Sequence, residues 1–209
     1  MAGKFITFEG IDGSGKTTQI RRLSGELRLR GFDVILTREP GGTPLGRHLR
    51  EAFLETEEQV APLAELLLFA ADRAQHVNFL INPAVAEGKI VLSDRFADAT
   101  AAYQGAGRGF DKETVDKIIK LATNGLKPDI TLFFDISVDT AVERAERAGD
   151  SRKNNRMDFE EKDFYRRVRD AYLEIAEKEP NRFKIIDGSQ SVEAVYSDVV
   201  ALITKFLDR

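Results

Sequence analysis

Cysteine and tryptophan are absent from this 209-residue sequence, and histidine occurs only twice. Without cysteine, disulfides, thiolate metal sites and cysteine nucleophiles are excluded. No run of 18 apolar residues occurs, so the sequence predicts no membrane-spanning helix. The formal net charge of -4 provides no overall field that would attract nucleic acid. Together with the lack of a basic-then-apolar leader, these absences predict a cytoplasmic protein that binds neither membrane nor nucleic acid.

Apolar, β-rich segments alternate with segments of helical periodicity, a pattern typical of βα units and a parallel sheet. A chain of this length fits one α/β domain with a single core. The predicted strands are Phe5–Phe8, Asp33–Thr37, Ile90–Ser93, Ile130–Asp135 and Phe183–Ile186. The predicted helices are Lys16–Arg30, Leu45–Phe53, Pro62–Ile81, Lys112–Thr123, Val138–Arg147, Lys162–Glu179 and Val192–Leu207. The polar segment Gly149–Arg156 indicates a mobile loop.

A glycine-rich segment with the spacing of a phosphate-binding loop follows the first predicted strand and opens a helix. It reads Gly10-Ile11-Asp12-Gly13-Ser14-Gly15-Lys16-Thr17. Glycines let backbone N–H groups point at phosphate oxygens, and the helix N-terminus adds a favourable dipole. Lys16 can reach the β- and γ-phosphates of a nucleoside triphosphate, and the Thr17 hydroxyl can ligate Mg²⁺. The segment predicts a P-loop phosphotransferase; a glycine-rich turn that binds nothing is disfavoured by the Lys-Thr pair.

Motifs of a nucleotide switch are missing from the rest of the chain. Outside the phosphate loop the sequence has no Asp-x-x-Gly, and nowhere does it contain Asn-Lys-x-Asp. Those motifs would read the γ-phosphate and guanine in a switch GTPase. A non-catalytic P-loop switch is therefore disfavoured, although it stays open as an alternative beside kinases for various nucleoside monophosphates.

Three polar segments stand where an acceptor pocket could form, and two of them follow predicted strands. Because ligands of open α/β sheets bind outside the carboxyl ends of strands, those two should converge on the phosphate loop. The segments contain Arg38-Glu39-Pro40-Gly41-Gly42-Thr43, Phe69-x-x-x-Arg73, and Asp94-Arg95 followed by Ala102-Tyr103-Gln104-Gly105. With the phosphate loop and in this order, they resemble the thymidylate kinases, from Phe5 to about Gly188.

The resemblance implies a fold and a reaction. The fold is a P-loop three-layer α/β/α sandwich with a five-stranded parallel sheet of order 2-3-1-4-5. It forms one domain over residues 1–209, with a mobile lid at about 148–158. The reaction is transfer of the γ-phosphoryl group of ATP to dTMP, giving dTDP, with Mg²⁺ and usually in a homodimer.

The resemblance also implies the residues of the ATP site. Those that bind ATP are Gly10, Ile11, Asp12, Gly13, Ser14, Gly15, Lys16, Thr17, Thr18, Asp187, Gly188 and Ser189. Thr17 and Asp94 are the implied metal ligands, and Lys16, Arg95, Arg144, Arg147 and Arg156 the implied catalytic residues. One branch of the family carries an arginine where this sequence has Gly13, so the resemblance assigns that role to the lid arginines.

The acceptor residues implied by the resemblance are Asp12, Arg38, Glu39, Phe69, Arg73, Arg95, Thr100, Tyr103 and Gln104. Phe69 and Arg73 are four residues apart and share a helix face. The resemblance implies that Phe69 stacks on thymine while Arg73 donates to its O4. Helical spacing alone favours a core phenylalanine and a solvated or salt-bridged arginine, and the resemblance reverses that preference. The resemblance also implies that Tyr103 favours deoxyribose. His48 and His76 are predicted to be structural or surface residues.

Two positions depart from a pattern common in the family. Phe96 replaces a frequent tyrosine, and Ala99-Thr100 replaces a frequent pair of small hydroxyl residues. A lost hydroxyl removes one hydrogen bond or water bridge, and no change of substrate is expected.

Overall fold

A single parallel sheet organises the chain, and the computed structural model describes residues 3–147 and 160–208 of it. The strands are β1 (Lys4–Glu9), β2 (Val34–Arg38), β3 (Ile90–Asp94), β4 (Ile130–Asp135) and β5 (Phe183–Asp187). Their order is β2-β3-β1-β4-β5, and every pairing is parallel. The predicted fold and strand order are confirmed. The lid predicted at about 148–158 lies outside the described residues.

Helices cover both faces of the sheet. They are α1 (Lys16–Leu29), α2 (Pro44–Phe53), α3 (Pro62–His76), α4 (Asn82–Ala86), α5 (Ala97–Thr100), α6 (Lys112–Thr123), α7 (Val138–Arg147), α8 (Lys162–Lys178) and α9 (Val192–Leu207). Ile6 and Phe8 of β1 pack against α1 and α9, whereas Phe5 packs on the opposite face. Burial on both faces explains why the central strands are apolar at consecutive positions. None of the helices in the described ranges is long and apolar enough to cross a membrane.

Two helical stretches differ from the sequence prediction. The helix expected to end at Ile81 changes into a π-helical turn at Val77–Ile81 and continues as α4, whose Pro83 has no N–H to donate. A second stretch, α5 and the π-helical segment Ala101–Gly107, has no counterpart among the predicted helices. Its alanines and glycines give no apolar periodicity, so its helical form depends on the helices packed around it.

Gly107 shows how closely that packing is fitted. A Cβ at this position would lie 2.6 Å from the ring of Phe164 on α8. The segment Ala101–Gly107 can therefore press directly onto α8. This contact places the polar residues Tyr103 and Gln104 beside the carboxyl ends of the central strands.

Candidate active site

The phosphate loop spans the gap between the end of β1 at Glu9 and the start of α1 at Lys16. Its backbone needs glycine at two points. Gly10 has a φ of 144°, and a Cβ there would lie 2.8 Å from the carbonyl oxygen of Phe134. Gly13 has a φ of 83°, and a Cβ there would lie 3.0 Å from the carbonyl oxygen of Ala141. A side chain at Gly13 would therefore be strained, both by its backbone conformation and by the contact with Ala141.

Two cations meet one carboxylate beside the loop. Asp12 Oδ1 accepts from Lys16 Nζ at 3.2 Å and from Arg95 Nη2 at 2.9 Å. Burial alone would raise the pKa of Asp12, but Arg95 and Lys16 outweigh it and hold that pKa well below its usual range. The cluster keeps one positive charge in excess, which suits a site for phosphate oxygens.

Arg95 reaches this position from a strained backbone. Its φ is 71°, in the left-handed region that residues with a Cβ rarely adopt. The guanidinium lies 4.8 Å from the ring centroid of Tyr103, within the range of a cation–π contact. Backbone strain of this kind persists where the surrounding structure over-determines it, and it clusters at functional sites. Arg95 is therefore positioned at the junction of the phosphate loop and the neighbouring cavity.

Thr17 and Asp94 place two oxygen donors together next to the loop. The Thr17 hydroxyl donates to Asp94 Oδ2 at 2.8 Å, joining the first turn of α1 to the end of β3. The structure thus brings together the two residues that were predicted as metal ligands. Among the described residues there is no cluster of three or more histidine, aspartate and glutamate side chains that could hold a metal ion.

A cavity of about 540 Å³ opens beside the phosphate loop. All nine predicted acceptor residues line it, together with Lys16, Thr17 and Asp94. Its wall also contains three arginines that sequence reasoning missed, Arg21, Arg47 and Arg50. The only sequence signal for them is their place on the helices that follow two motifs. Arg21 lies on α1 after the phosphate loop, and Arg47 and Arg50 lie on α2 after the segment Arg38–Thr43. A volume of this size fits a small ligand.

Arg73 is held rigidly in the cavity wall. It donates from Nε to Glu39 Oε2 at 2.8 Å, from Nη1 to Thr100 Oγ1 at 2.8 Å and from Nη2 to the Phe96 carbonyl at 3.0 Å. A guanidinium carries five N–H groups, so donors are left over for a ligand. Phe96, which stands where a tyrosine is frequent, contributes here through its backbone.

Glu39 and His76 support Arg73 from behind. Glu39 Oε1 faces His76 Nδ1 at 2.8 Å, and His76 Nε2 lies 2.8 Å from Thr37 Oγ1. Both oxygens of Glu39 thus have partners inside the protein, and direct contact between Glu39 and an acceptor stays a prediction. His76 is buried, as a structural histidine should be, whereas His48 is exposed.

Phe69 and Tyr103 supply the aromatic walls. The ring of Phe69 meets that of Phe53 edge to face, with 4.9 Å between centroids. That contact fixes its plane, which suits a surface for stacking a flat ring. The Tyr103 hydroxyl has no hydrogen-bond partner among the described residues, and burial raises its pKa. Phe69 is only half-buried, so its face remains accessible from the cavity.

Arg144 joins the phosphate loop to the segment after β5. Its guanidinium donates to the carbonyl oxygens of Gly13 at 3.2 Å and Gly188 at 2.9 Å. A Cβ on Gly188 would lie 3.1 Å from the carbonyl oxygen of Ser14, so the two segments approach closely. Asp187 accepts from the backbone N–H of Ser189 at 2.9 Å and shapes the turn. The predicted ATP-binding residues from the two ends of the chain are thus brought together.

The other two predicted catalytic arginines of this region are placed differently. Arg147 is exposed, and its Nη2 lies 3.5 Å from Glu143 Oε2. Arg156 lies outside the described residues. Catalytic roles for Arg144, Arg147 and Arg156 stay predictions.

Glu9 is a buried acid that sequence reasoning missed. Its Oε1 accepts from the backbone N–H of Phe96 at 2.8 Å, and its Oε2 accepts from the Tyr172 hydroxyl at 2.7 Å. Burial and the charge of Asp98 outweigh Arg95 and raise the pKa of Glu9 to about 8. At neutral pH the side chain is therefore mostly uncharged, so it adds no negative charge beneath the phosphate loop. The only sequence signal is an acid ending an apolar strand.

The pKa of Glu9 predicts how stability depends on pH. The folded chain keeps a proton up to about pH 8, whereas the reference pKa of the carboxyl is 4.5, so stability falls as pH rises between these values. Glu9→Gln mimics the protonated form and should flatten the decline between about pH 6 and pH 8.5 by about 2 to 3 kcal/mol. Urea unfolding of both proteins at the two pH values measures the difference. Equal declines in the two proteins would contradict the assignment.

Comparison with known proteins gives a consistent result. The family model for thymidylate kinase matches residues 8–199. A thymidylate kinase of Desulfovibrio desulfuricans is 50% identical over 210 residues, covering 98% of this chain and 97% of that protein. One of Pelobacter propionicus is 47% identical over 205 residues, covering 96% and 94%. The crystal structure of thymidylate kinase from Ehrlichia chaffeensis superposes with a TM-score of 0.79 at 37% identity, covering 98% and 99%.

These matches extend over the sheet, the phosphate loop and the cavity alike. They also span almost the full length of the proteins compared. The chain therefore belongs to the thymidylate kinase family and is a kinase.

Proposed function

We propose that this chain transfers the γ-phosphoryl group of ATP to dTMP, producing ADP and dTDP. The observation that carries the proposal is one cavity whose lining offers two kinds of recognition. Lys16 and Arg95 line it beside the phosphate loop, and Phe69 and Arg73 line the same cavity from α3. The first pair suits reacting phosphates, and the second suits a flat base with a hydrogen-bond acceptor on its edge.

Recognition of thymine follows from the donors that Arg73 has left over. Thymine O4 accepts hydrogen bonds, whereas cytosine carries an amino donor at that position. Because Arg73 is buried and can only donate, cytosine would leave two buried donors facing each other. A buried mismatch of this kind costs roughly 1 to 3 kcal/mol. Phe69 would stack on the base, and Tyr103 would close the space beside the deoxyribose.

The phosphate ends of the two substrates meet at the cluster of Lys16, Asp12 and Arg95. Backbone N–H groups of the loop and Lys16 would hold the phosphates of ATP, while Arg38 and Arg95 would hold the acceptor phosphate. An oxygen of the acceptor phosphate then bonds to the γ-phosphorus of ATP. At the same time the bond between the γ-phosphorus and the oxygen that bridges it to the β-phosphate breaks, and ADP leaves. Lys16 and Arg95 stabilise the charge on the transferring group, because positioned donors act most where charge develops. We assign the same stabilising role to Arg144, Arg147 and Arg156. Asp12 would accept a hydrogen bond from the 3′-hydroxyl of the acceptor.

The residues present fit a magnesium ion. Thr17 and Asp94 offer hard oxygen donors 2.8 Å apart beside the phosphate loop. Mg²⁺ prefers oxygen ligands and is usually bound by one or two protein groups together with waters and substrate phosphates. When bound there, the ion would neutralise charge on the β- and γ-phosphates. Asp94 would hold the ion from the end of β3, and Thr17 from the first turn of α1.

An acceptor panel tests the function. The chain is incubated with Mg-ATP and, separately, dTMP, dUMP, dCMP, dGMP, AMP or GMP, and ADP is measured. We expect dTMP to be the best acceptor. A different best acceptor would favour another nucleoside monophosphate kinase. Failure of every monophosphate to stimulate turnover would favour a non-catalytic P-loop nucleotide switch.

We also propose that the chain forms a homodimer, as the family resemblance implies. Leu63 and Leu67, four residues apart on α3, are 53% and 51% exposed, and Phe79 on the π-helical turn after α3 is 72% exposed. Large apolar side chains exposed on one helical surface are typical of an interface. Sedimentation should give the mass of a dimer for the wild type and of a monomer for Leu67→Glu. A monomeric wild type would contradict the proposal.

The cytoplasmic location stays a prediction.

A further inference from the structure

The side-chain amide of Gln104 has a defined orientation in the cavity wall. Gln104 is 2% exposed, and its Nε2 donates to Glu65 Oε1 at 3.0 Å. An ionised carboxylate can only accept hydrogen bonds, so only the NH₂ end of the amide can face Glu65. The carbonyl oxygen of Gln104 must therefore point away from Glu65. Gln104 also lines the acceptor cavity, so its two amide ends are not equivalent there.

Glu65 is held as a charged acceptor by Arg108. Glu65 is 0% exposed, and Arg108 pairs with both of its oxygens, Nε with Oε1 at 3.1 Å and Nη2 with Oε2 at 3.1 Å. Arg108 Nη2 also lies 2.6 Å from Glu160 Oε1. Burial alone would lower the pKa of Arg108, but the two carboxylates outweigh it and raise that pKa above its usual value. A buried carboxylate requires such a partner, and here the partner is bidentate.

Glu65 lies on the same face of α3 as two residues that line the cavity. Residues 65, 69 and 73 are spaced four apart, so Glu65, Phe69 and Arg73 lie on one face of that helix. Two of them line the cavity directly. The third, Glu65, contacts Gln104, which lines the cavity from the neighbouring π-helical segment. One helix face thus supplies an aromatic surface, a donor and the support of an acceptor.

We propose that Glu65 is a positioning residue for base recognition, which orients the Gln104 amide so that its carbonyl oxygen faces the acceptor base. The inference rests on the proposed function, in which that base is thymine. Thymine N3 carries a hydrogen and donates, whereas cytosine N3 accepts. A fixed carbonyl at Gln104 pairs with thymine and faces a lone pair in cytosine, so it adds discrimination to the reading of O4 by Arg73.

Glu65→Gln tests the inference, because a glutamine at this position both donates and accepts and lets the Gln104 amide turn over. Calorimetry measures the dissociation constants of dTMP and dCMP without relying on turnover. We expect the affinity for dTMP to fall about tenfold while that for dCMP stays within about twofold. The ratio of dTMP affinity to dCMP affinity should therefore fall about tenfold. Equal weakening of both nucleotides, or no change in either, would overturn the inference.

Two further variants sharpen the result. Glu160→Gln makes the same substitution in the other carboxylate on Arg108, which does not touch Gln104, and should leave the ratio unchanged. A shift as large as that of Glu65→Gln would assign the effect to Arg108 and overturn the inference. Glu65→Asp keeps the charge for Arg108 but shortens the reach to Gln104, so it serves if Glu65→Gln does not fold. It should lower the same ratio, and an unchanged ratio would again overturn the inference. A wild type that binds dTMP without phosphorylating it would refute the proposed function while leaving this comparison intact.

Discussion

Lys16→Met should lower the turnover of dTMP phosphorylation by about 10³-fold, the largest effect we expect from a single substitution. Lys16 is buried beside the phosphate loop, and its ammonium is 3.2 Å from Asp12. Methionine keeps an unbranched side chain that is one atom shorter, but it removes the charge that would stabilise the transferring phosphoryl group. The fold should survive, since Asp12 keeps its hydrogen bond to Arg95 at 2.9 Å. Steady-state rates with saturating Mg-ATP and dTMP measure the loss.

Lys117→Met is the matched control for that result. Lys117 Nζ lies 2.6 Å from Glu113 Oε1, a pair with the same four-residue spacing as Lys16 and Asp12, but on the exposed surface of α6. Breaking a surface pair costs little, so turnover should stay close to that of the wild type. If Lys16→Met reduced turnover by less than about tenfold, the phosphate loop would not be the centre of the chemistry.

Arg73→Met should lower kcat/KM for dTMP by about a hundredfold, with the KM for ATP within about twofold of the wild type. The loss combines the donors that face the base with the support that Arg73 receives from Glu39 and Thr100. Stability should fall as well, because Glu39 is buried and loses the cation that pairs with its Oε2 at 2.8 Å. Initial-rate kinetics with each substrate varied in turn separate the acceptor effect from a loss of folded protein.

The control for Arg73 is an arginine of the same kind placed away from the cavity. Arg22 pairs with Glu193 at 2.6 Å on the outside of α1, and Arg22→Met should leave both KM values unchanged. A loss confined to kcat in Arg73→Met, with the KM for dTMP unaltered, would mean that fewer molecules are active. In that case Arg73 would be a structural residue, the role that its helical spacing indicates when the family resemblance is set aside.

The sequence was most informative where function depends on neighbours along the chain. The phosphate loop, the position of Arg73 one turn after Phe69, and the strand boundaries all follow from local spacing or periodicity. Contacts between distant parts of the chain were not predicted. Glu9, which bonds to Tyr172 163 positions later, was missed as a site residue. Arg144 was predicted as a catalytic residue, but its bonds to Gly13 and Gly188 were not. Nothing in the local pattern around Glu9 indicates which helix will cover it.

The same limit applies to secondary structure around the cavity. The stretch from Ala97 to Gly107 is rich in alanine and glycine and lacks an apolar stripe, so local pattern favoured no helix. It is helical because α8 presses on Gly107 through Phe164. Gln104 was predicted as an acceptor residue, but the direction of its amide depends on Glu65, 39 positions earlier. Spacing can place a residue at a site, whereas orientation requires its tertiary partners.

The central place of β1 in the sheet has a consequence for synthesis on the ribosome. β1 precedes the other described strands along the chain, yet its partners among them are β3 and β4, whose paired residues begin at Ile90 and Ile130. An apolar strand with both edges open is a site for unwanted pairing between chains. The nascent protein must therefore carry this segment unpaired until the residues from Ile90 onward have been made. Since the phosphate loop directly follows β1, nucleotide binding should appear late in folding and provide no early stabilisation.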